Sequence, residues 1–477
     1  MSEQSRATAA ALLARLSTGS AEIASAPSVA TSSGLRRINR LEDLPQVRQS
    51  LDRDAALAAG VGAVGLHSPY YRSHEGVNGA TITLDGQQLV NFSSYNYLGL
   101  ADHPAMLAAS HDAIDRYGTT SGATRIVSGN IGLHDELERT IAESLGVQDA
   151  TTVGSGFLTN ASVISFVLGE GDVAICDALV HNSIVAGTLW SHSRRMQFKH
   201  NDPVALDVLL ARVRPHFGTA LVILEGVYSM DGDIGALPDL IEVCRRHEAL
   251  VMVDEAHSFA ILGQTGLGVR EHFGLAPDAV DIWMGTLSKA LASHGGYVAG
   301  SHEFIQACRM SAPGMSLYAA GLTPATAASA LTAIQLVQSE PERLARLRAN
   351  SAYFLAAAHE AGLDTGPSRG TPIIPIMLGS SQRAMACAVA LAAQGINANP
   401  ILYPAVPDGE AIHFELPLQH GERTGGDATG YLRLGDGLLA VRIDPEAIGG
   451  LRQGDRVSVG FPAAKLHIFD ARSGQRL

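Results

Sequence analysis

The chain has 477 residues, 46% of them hydrophobic and 17% charged, with 50 glycines and a formal net charge of −13. That much apolar material excludes wholesale disorder, and at roughly 150 residues per domain the length suggests about three domains. The acidic balance argues against nucleic acid and anionic membrane surfaces as partners, and no apolar run reaches the ~18 residues of a membrane span.

Residues 1–50 read as a flexible Ala/Ser-rich arm with one short helix at 9–16. No basic region followed by an apolar core precedes it, so no signal peptide is expected. From about residue 90 to 300, the β-rich runs DVAICDA, TALVILEG, ALVMVDEAH, DIWMGTL and YVAGS alternate with helical stretches such as PDLIEVCRRHEA. Alternation of this kind requires crossover connections, so the expected fold class is α/β with a mainly parallel sheet. Residues 51–320 form the N-terminal segment and large domain in this reading, and 321–407 a smaller α/β domain. The smaller domain is expected to be helical over 323–362 with a break near Pro341, then a strand at TPIIPIML and a helix at SQRAMACAVALAAQG. Residues 408–477 switch to period-2 patterning with Gly/Asp turns, which predicts a small β-rich segment. The cysteines Cys176, Cys244, Cys308 and Cys387 include no CxxC pair, and so fit neither a disulfide framework nor a zinc site. A reducing, cytoplasmic setting follows.

Chemistry concentrates in a few segments. In MGTLSKALASHGGY, Lys289 follows a β-rich run; a lysine at the end of a buried strand is partly desolvated and becomes a usable amine nucleophile. A lone lysine is more often a surface residue, but Thr286, Ser288, Gly295 and Gly296 add phosphate-binding capacity here. In ALVMVDEAHSFAILGQTGLG, Asp254 ends an apolar run, at the strand edge where open α/β sheets bind ligands, and His257 follows it. That carboxylate could bind a metal, act as a base or pair with a cationic ring nitrogen; without a second His/Asp/Glu cluster nearby, no metal is expected. VGSGFLTNASV, with Gly156 and Phe157, is a Gly-rich turn into a helix whose amides can cradle phosphate. VHNS supplies His181, and EGVYSMDGD supplies Glu225, Ser229 and Asp231. A reactive lysine, a strand-end aspartate, a histidine and a phosphate cradle together describe a pyridoxal phosphate site.

These residues resemble the α-oxoamine synthases, a family of fold-type I pyridoxal phosphate enzymes. NFSSYNYLGL, TTSGATRIVSGNIGLHDELE, GSGFLTN, VHNS, EGVYSMDGD, DEAHS and TLSK occur in that family's order over about residues 65–407. The resemblance implies a covalent Schiff base on Lys289, which also moves the substrate's α-proton. It implies Asp254 on the pyridine nitrogen, His181 on the ring face, and His257 and Ser229 near the ring hydroxyl. Gly156, Phe157 and Thr286 would hold the phosphate side. It further implies a homodimer with shared active sites and a decarboxylating Claisen condensation of an amino acid with an acyl thioester, carried on coenzyme A or an acyl-carrier protein. A pyridoxal phosphate aldolase or aminotransferase, or a catalytically impaired regulatory protein, is the alternative.

The chain departs from the family at its end. Where the family places an arginine for the substrate carboxylate, Ile412, His413 and Phe414 stand, and the final strand and helix of the small domain are missing. Arg125 and Arg72 are the candidate replacements. Gly321 stands where serine is usual, removing one hydroxyl expected to reach phosphate across the dimer. From about residue 411, GERTGGDATGYLRLGDGLLAVRIDP and LRQGDRVSVGFPAAKLHIFDARSGQRL resemble the TOBE segment of sugar-importer ATPases. The chain has no GxxxxGK[ST], so ATPase activity is not expected.

Overall fold

The computed structural model describes residues 38–62, 69–402 and 406, and the backbone of four strands between 411 and 462. Residues 38–62 belong to a small unit of their own: a 3-10 turn, Leu41–Asp43, then helix α1, Pro45–Gly62. The expected arm boundary at residue 50 falls inside α1, and the helix expected over 9–16 lies outside the described residues.

The long unit is built around a seven-stranded sheet. Its strands are β4 (Asp149–Val153), β5 (Val173–Asp177), β6 (Arg194–Phe198), β7 (Ala220–Glu225), β8 (Leu250–Asp254), β9 (Ile282–Thr286) and β10 (Gly296–Gly300). The order across the sheet is β4-β10-β9-β8-β7-β5-β6. β10 is antiparallel to both neighbours; the remaining pairs are parallel, as the alternating pattern predicted. Residues on alternate sides of each strand enter two separate cores. Val173, Ile175, Val222, Leu224, Val251 and Val253 face one; Ala174, Cys176, Leu221, Ile223, Met252 and Met284 face the other. Helices cover both faces, which is why these strands are apolar throughout rather than alternating. The first core is closed by helices that include α2 (Pro104–Tyr117), with Met106 buried, and α3 (Gly132–Leu145), with Leu137, Ile141 and Leu145 fully buried. The second packs against α4 (Gly156–Val167) and α5 (Asn182–Trp190) through Val163, Ile164 and Ile184.

Small sheet strands β1 (His74–Glu75), β2 (Thr81–Leu84) and β3 (Gln87–Asn91) lead into the large domain, and β11 (Ile396–Asn397) returns to pair in parallel with β3. The helical region past 323 is two helices, Pro324–Ser339 and Pro341–Glu360, separated at Pro341 as expected. A helix also forms at Ser381–Ala393. The strand expected at TPIIPIML does not form: residues 371–378 run without a ladder. Pro372 and Pro375 carry no N–H, and the Ile373 carbonyl accepts from the Ser368 hydroxyl at 2.7 Å while Met377 N–H reaches the Asp364 carbonyl at 2.8 Å. The backbone groups are thus spent on a local turn.

The period-2 tail folds as strands β12 (Ala411–Thr424), β13 (Asp427–Leu434), β14 (Gly437–Ile443) and β15 (Arg456–Pro462). They form one antiparallel sheet ordered β14-β13-β12-β15, with a bulge between Leu418 and His420. No described helix is long and apolar enough to cross a membrane.

Candidate active site

The parallel strands end at one edge of the sheet, and their last residues are the chemical ones: Asp177 on β5, Glu225 on β7, Asp254 on β8 and Thr286 on β9. Strand register sets Glu225 directly beside Asp254. Both carboxylates are buried, at 3% and 4% exposure. Burial, and then the neighbouring Asp254 charge, push the Glu225 carboxyl well above its usual range. Asp254 accepts from the Asn160 amide at 2.8 Å and from Ala256 N–H at 2.8 Å.

Lys289 lies three residues beyond β9. The chain has only three lysines, Lys199, Lys289 and Lys465. Lys199 is exposed and pairs with Asp202 at 3.2 Å. Lys289 is half-buried, and its Nζ lies 2.6 Å from His257 Nε2. Burial lowers its pKa, opposed by the Asp254 and Glu225 charges. His257 is itself buried, and burial with the nearby lysine holds its pKa well below the ordinary value, so the ring is neutral. Its Nδ1 lies 3.0 Å from the Tyr97 hydroxyl. Desolvation raises the Tyr97 pKa, so it remains a phenol at neutral pH.

A second line runs from His181, which caps α5: its Nδ1 lies 2.7 Å from the Ser183 hydroxyl and accepts from Ser183 N–H at 3.2 Å. Asn160 donates to both Ser183 Oγ at 2.9 Å and Asp254. The backbone N–H of His181 donates to the Glu225 carboxylate. His181 is therefore connected to Asp254 through two buried side chains.

The third component is the turn before α4. Ser155 caps this twelve-residue helix by accepting from Leu158 N–H at 3.1 Å. The first-turn amides of Gly156 and Phe157 have no intrahelical acceptor. A Cβ on Gly156 would stand 2.9 Å from Thr286 Oγ1, so only glycine lets the turn approach that hydroxyl. Thr286 Oγ1 contacts Ser288 Oγ at 2.8 Å. Ser229 is half-buried in the turn beyond β7, and no hydrogen bond among the described residues joins it to the lysine cluster.

An amine whose pKa burial lowers, a buried carboxylate and a glycine-lined helix N-terminus beside hydroxyls fit the aldehyde, ring nitrogen and phosphate of pyridoxal phosphate. The buried Asn160 Oδ1 has no hydrogen-bond partner among the described residues, on the same side chain whose amide nitrogen holds Asp254. No group of His, Cys, Asp and Glu among the described residues is arranged to hold a metal.

The proposed stand-ins for the substrate arginine behave differently from expectation. Arg125 is buried in an ion pair with Glu138 and also donates to Asn130 at 2.9 Å, so it is not available to a substrate. Arg72 pairs with Asp85 at 2.6 Å on the surface. Gly321 has a structural reason: a Cβ there would stand 2.8 Å from the His134 ring and 2.9 Å from Arg125. Sequence reasoning passed over Tyr97, Asn160 and Ser183, which lie inside quoted motifs but carry no distinguishing spacing. The scarcity of lysine in the chain is a further sequence signal for Lys289.

Fold and site together define a pyridoxal phosphate-dependent transferase of fold type I. The chain belongs to the aminotransferase class I and II family, whose profile matches residues 87–412. It is 41% identical over 355 residues to the 8-amino-7-oxononanoate synthase of Geobacter sulfurreducens, covering 74% of this chain and 90% of that protein. It is 35% identical over 357 residues to the serine palmitoyltransferase of Sphingobacterium spiritivorum, covering 75% and 88%. Among solved structures, the serine palmitoyltransferase of Sphingomonas wittichii superposes with a TM-score of 0.72 at 29% identity, covering 78% of this chain and 91% of that one. A structure of SPT with PLP as an internal aldimine superposes with a TM-score of 0.71 at 30% identity, covering 76% and 90%.

Proposed function

We propose that the enzyme condenses an amino acid with an acyl thioester, releasing carbon dioxide and free thiol to leave an α-amino ketone. The observation that carries this reading is the Lys289 amine, held 2.6 Å from a neutral His257 beside the buried Asp254 and Glu225. Bound pyridoxal phosphate supplies the electron sink that makes an amino-acid Cα a carbanion. Lys289 Nζ would be the amine that holds the cofactor's aldehyde and the base that moves the substrate's α-proton. Asp254 holds a proton on the ring nitrogen, and Asn160 fixes the carboxylate that does so. His181 would stack on the ring face, and His257 and Ser229 would bind near the ring hydroxyl. The Gly156 and Phe157 amides and the Thr286 hydroxyl bind phosphate.

The working unit in this proposal is a homodimer. Val127 and Tyr318 are 78% and 88% exposed and flank the bridge between Thr124 and Ala320, where the motif resemblance places the shared site. The thioester is carried on coenzyme A or on an acyl-carrier protein, and a cytoplasmic setting suits four unpaired cysteines. The β-rich tail takes the place of the family's last strand and helix, and its likeness to importer TOBE segments supports a regulatory role.

The test is a panel of amino acids against acyl thioesters, read by thiol and carbon dioxide release. Equimolar release of both supports the proposal; cofactor binding with release of neither contradicts it.

A further inference from the structure

Beneath the two loops that present His181 and Ser229, a third histidine joins them. His200 follows β6, with Nδ1 2.8 Å from Asp177 Oδ1 and Nε2 2.8 Å from Asp233 Oδ2. Two carboxylate acceptors on one imidazole require both ring nitrogens to donate, which is the imidazolium form. Asp177 and Asp233 are the anchors of the two loops. Asp177 accepts from Leu179 N–H at 2.9 Å, inside the turn that delivers His181. The carbonyl of Asp233 accepts from Tyr228 N–H at 3.0 Å, closing the turn that carries Ser229.

Asn201 repeats the link. Its N–H donates to Asp177 Oδ2 at 2.9 Å, and its side-chain amide donates to Asp233 Oδ2 at 2.6 Å. It adopts a left-handed conformation, φ 50°, which asparagine tolerates better than most residues. The His200 ring also meets the buried Tyr228 ring edge-to-face at 4.4 Å. The charged and titratable groups facing His200 are Asp177 from β5 and Tyr228, Asp231 and Asp233 from the loop beyond β7. The hydrogen bonds and charges of Asp177 and Asp233 outweigh partial burial and raise its pKa to about 10.

We infer that His200 is a positioning residue, a cationic staple that fixes the loops of His181 and Ser229 relative to each other and so pre-sets two sides of the cofactor site. The inference rests on the cofactor reading above, but its geometry is independent of Lys289. Neither carboxylate reaches the lysine cluster by a hydrogen bond among the described residues, so the staple acts through the loops it ties and not on the reacting atoms.

The experiment measures pyridoxal phosphate dissociation constants on the full-length protein by fluorescence quenching, with the circular dichroism of the bound cofactor as a second readout. His200→Gln is expected to weaken binding roughly tenfold, the loss of about one charge-assisted hydrogen bond, and to shrink the cofactor dichroism. His200→Arg, which keeps a cation with several donors, is expected to recover most of both. A folded His200→Gln protein with wild-type affinity and dichroism would overturn the staple, as would equal loss in the glutamine and arginine variants. If His200→Gln does not fold, Asp233→Asn takes its place, and unchanged affinity and dichroism there overturn the inference equally. Failure of the cofactor reading is distinguishable: the wild type would then show no Lys289-dependent absorbance. Nuclear magnetic resonance of the cofactor-free protein would still test the staple. The His200 ring is expected to be protonated at pH 8, and a neutral ring there contradicts it.

Discussion

The carboxyl edge of the seven-stranded sheet and the segment from residue 371 to 378 are built on different principles. At the sheet edge, ladder hydrogen bonds fix every strand, so Glu225, Asp254 and Thr286 have no freedom in where they end. Between 371 and 378 the ladder is absent, prolines remove donors, and the backbone turns on itself. The lesson is that the cofactor half of the site is specified by strand register. In the proposed function the substrate-carboxylate half has no such ladder behind it, since the arginine that the family resemblance leads one to expect is replaced by Ile412, His413 and Phe414.

Breaking the first region should have the largest effect. Lys289→Ala is expected to abolish covalent cofactor attachment and reduce thiol release to background, because no other described lysine lies near Asp254; residual turnover above background would place the nucleophile elsewhere. Next comes Arg125→Gln. Its partner Glu138 is 3% exposed but keeps a second cation, Arg309 at 3.1 Å, so the substitution should cost less than the about 3–5 kcal/mol of a fully unpaired buried charge, measured as a drop in denaturant midpoint. A protein of unchanged stability would show that Arg125 is free for substrate after all. Asp254→Asn should leave the fold intact but lower kcat by roughly 10²–10³, the usual size of a lost electrostatic stabiliser, with a smaller change in KM.

Two smaller effects sharpen the comparison. Glu255 is buried beside Asp254, accepts from the Ser258 hydroxyl and from Val269 N–H at 3.1 Å, and burial raises its pKa from 4.5 to about 7. A raised folded value means the folded state binds more protons. Its contribution to stability is therefore complete below pH 4.5 and lost as pH rises through about 7. Glu255→Gln should flatten stability against pH across that window, and an unchanged slope would refute the assignment. Arg72→Gln removes a surface pair whose Asp85 partner is largely exposed, worth at most about 1 kcal/mol. Its KM for amino acid is the informative quantity: a tenfold rise would give Arg72 the substrate-carboxylate role, and no change would deny it.

Much of the large domain was legible because buried parallel strands are short, apolar and bounded by turn residues, and because strand ends place Asp254 and Thr286 by necessity. Lys289 was legible as a strand-end amine. Tyr97 and Asn160 were not: their roles arise from contacts 160 and 94 residues away in the chain, to His257 and Asp254. His200 was invisible for the same reason, since one of its carboxylates ends β5 and the other lies in the loop beyond β7. TPIIPIML read as a strand because its apolar pattern is correct; what failed was the supply of backbone donors. Arg125 read as a free cation because sequence does not reveal that Glu138 lies on the facing helix.

The most direct test of the central claim is borohydride reduction of the protein with pyridoxal phosphate, followed by peptide mass mapping. With three lysines in the chain the outcome is unambiguous. The account requires one phosphopyridoxyl group, on Lys289. Modification confined to Lys199 or Lys465, or none at all, would contradict it.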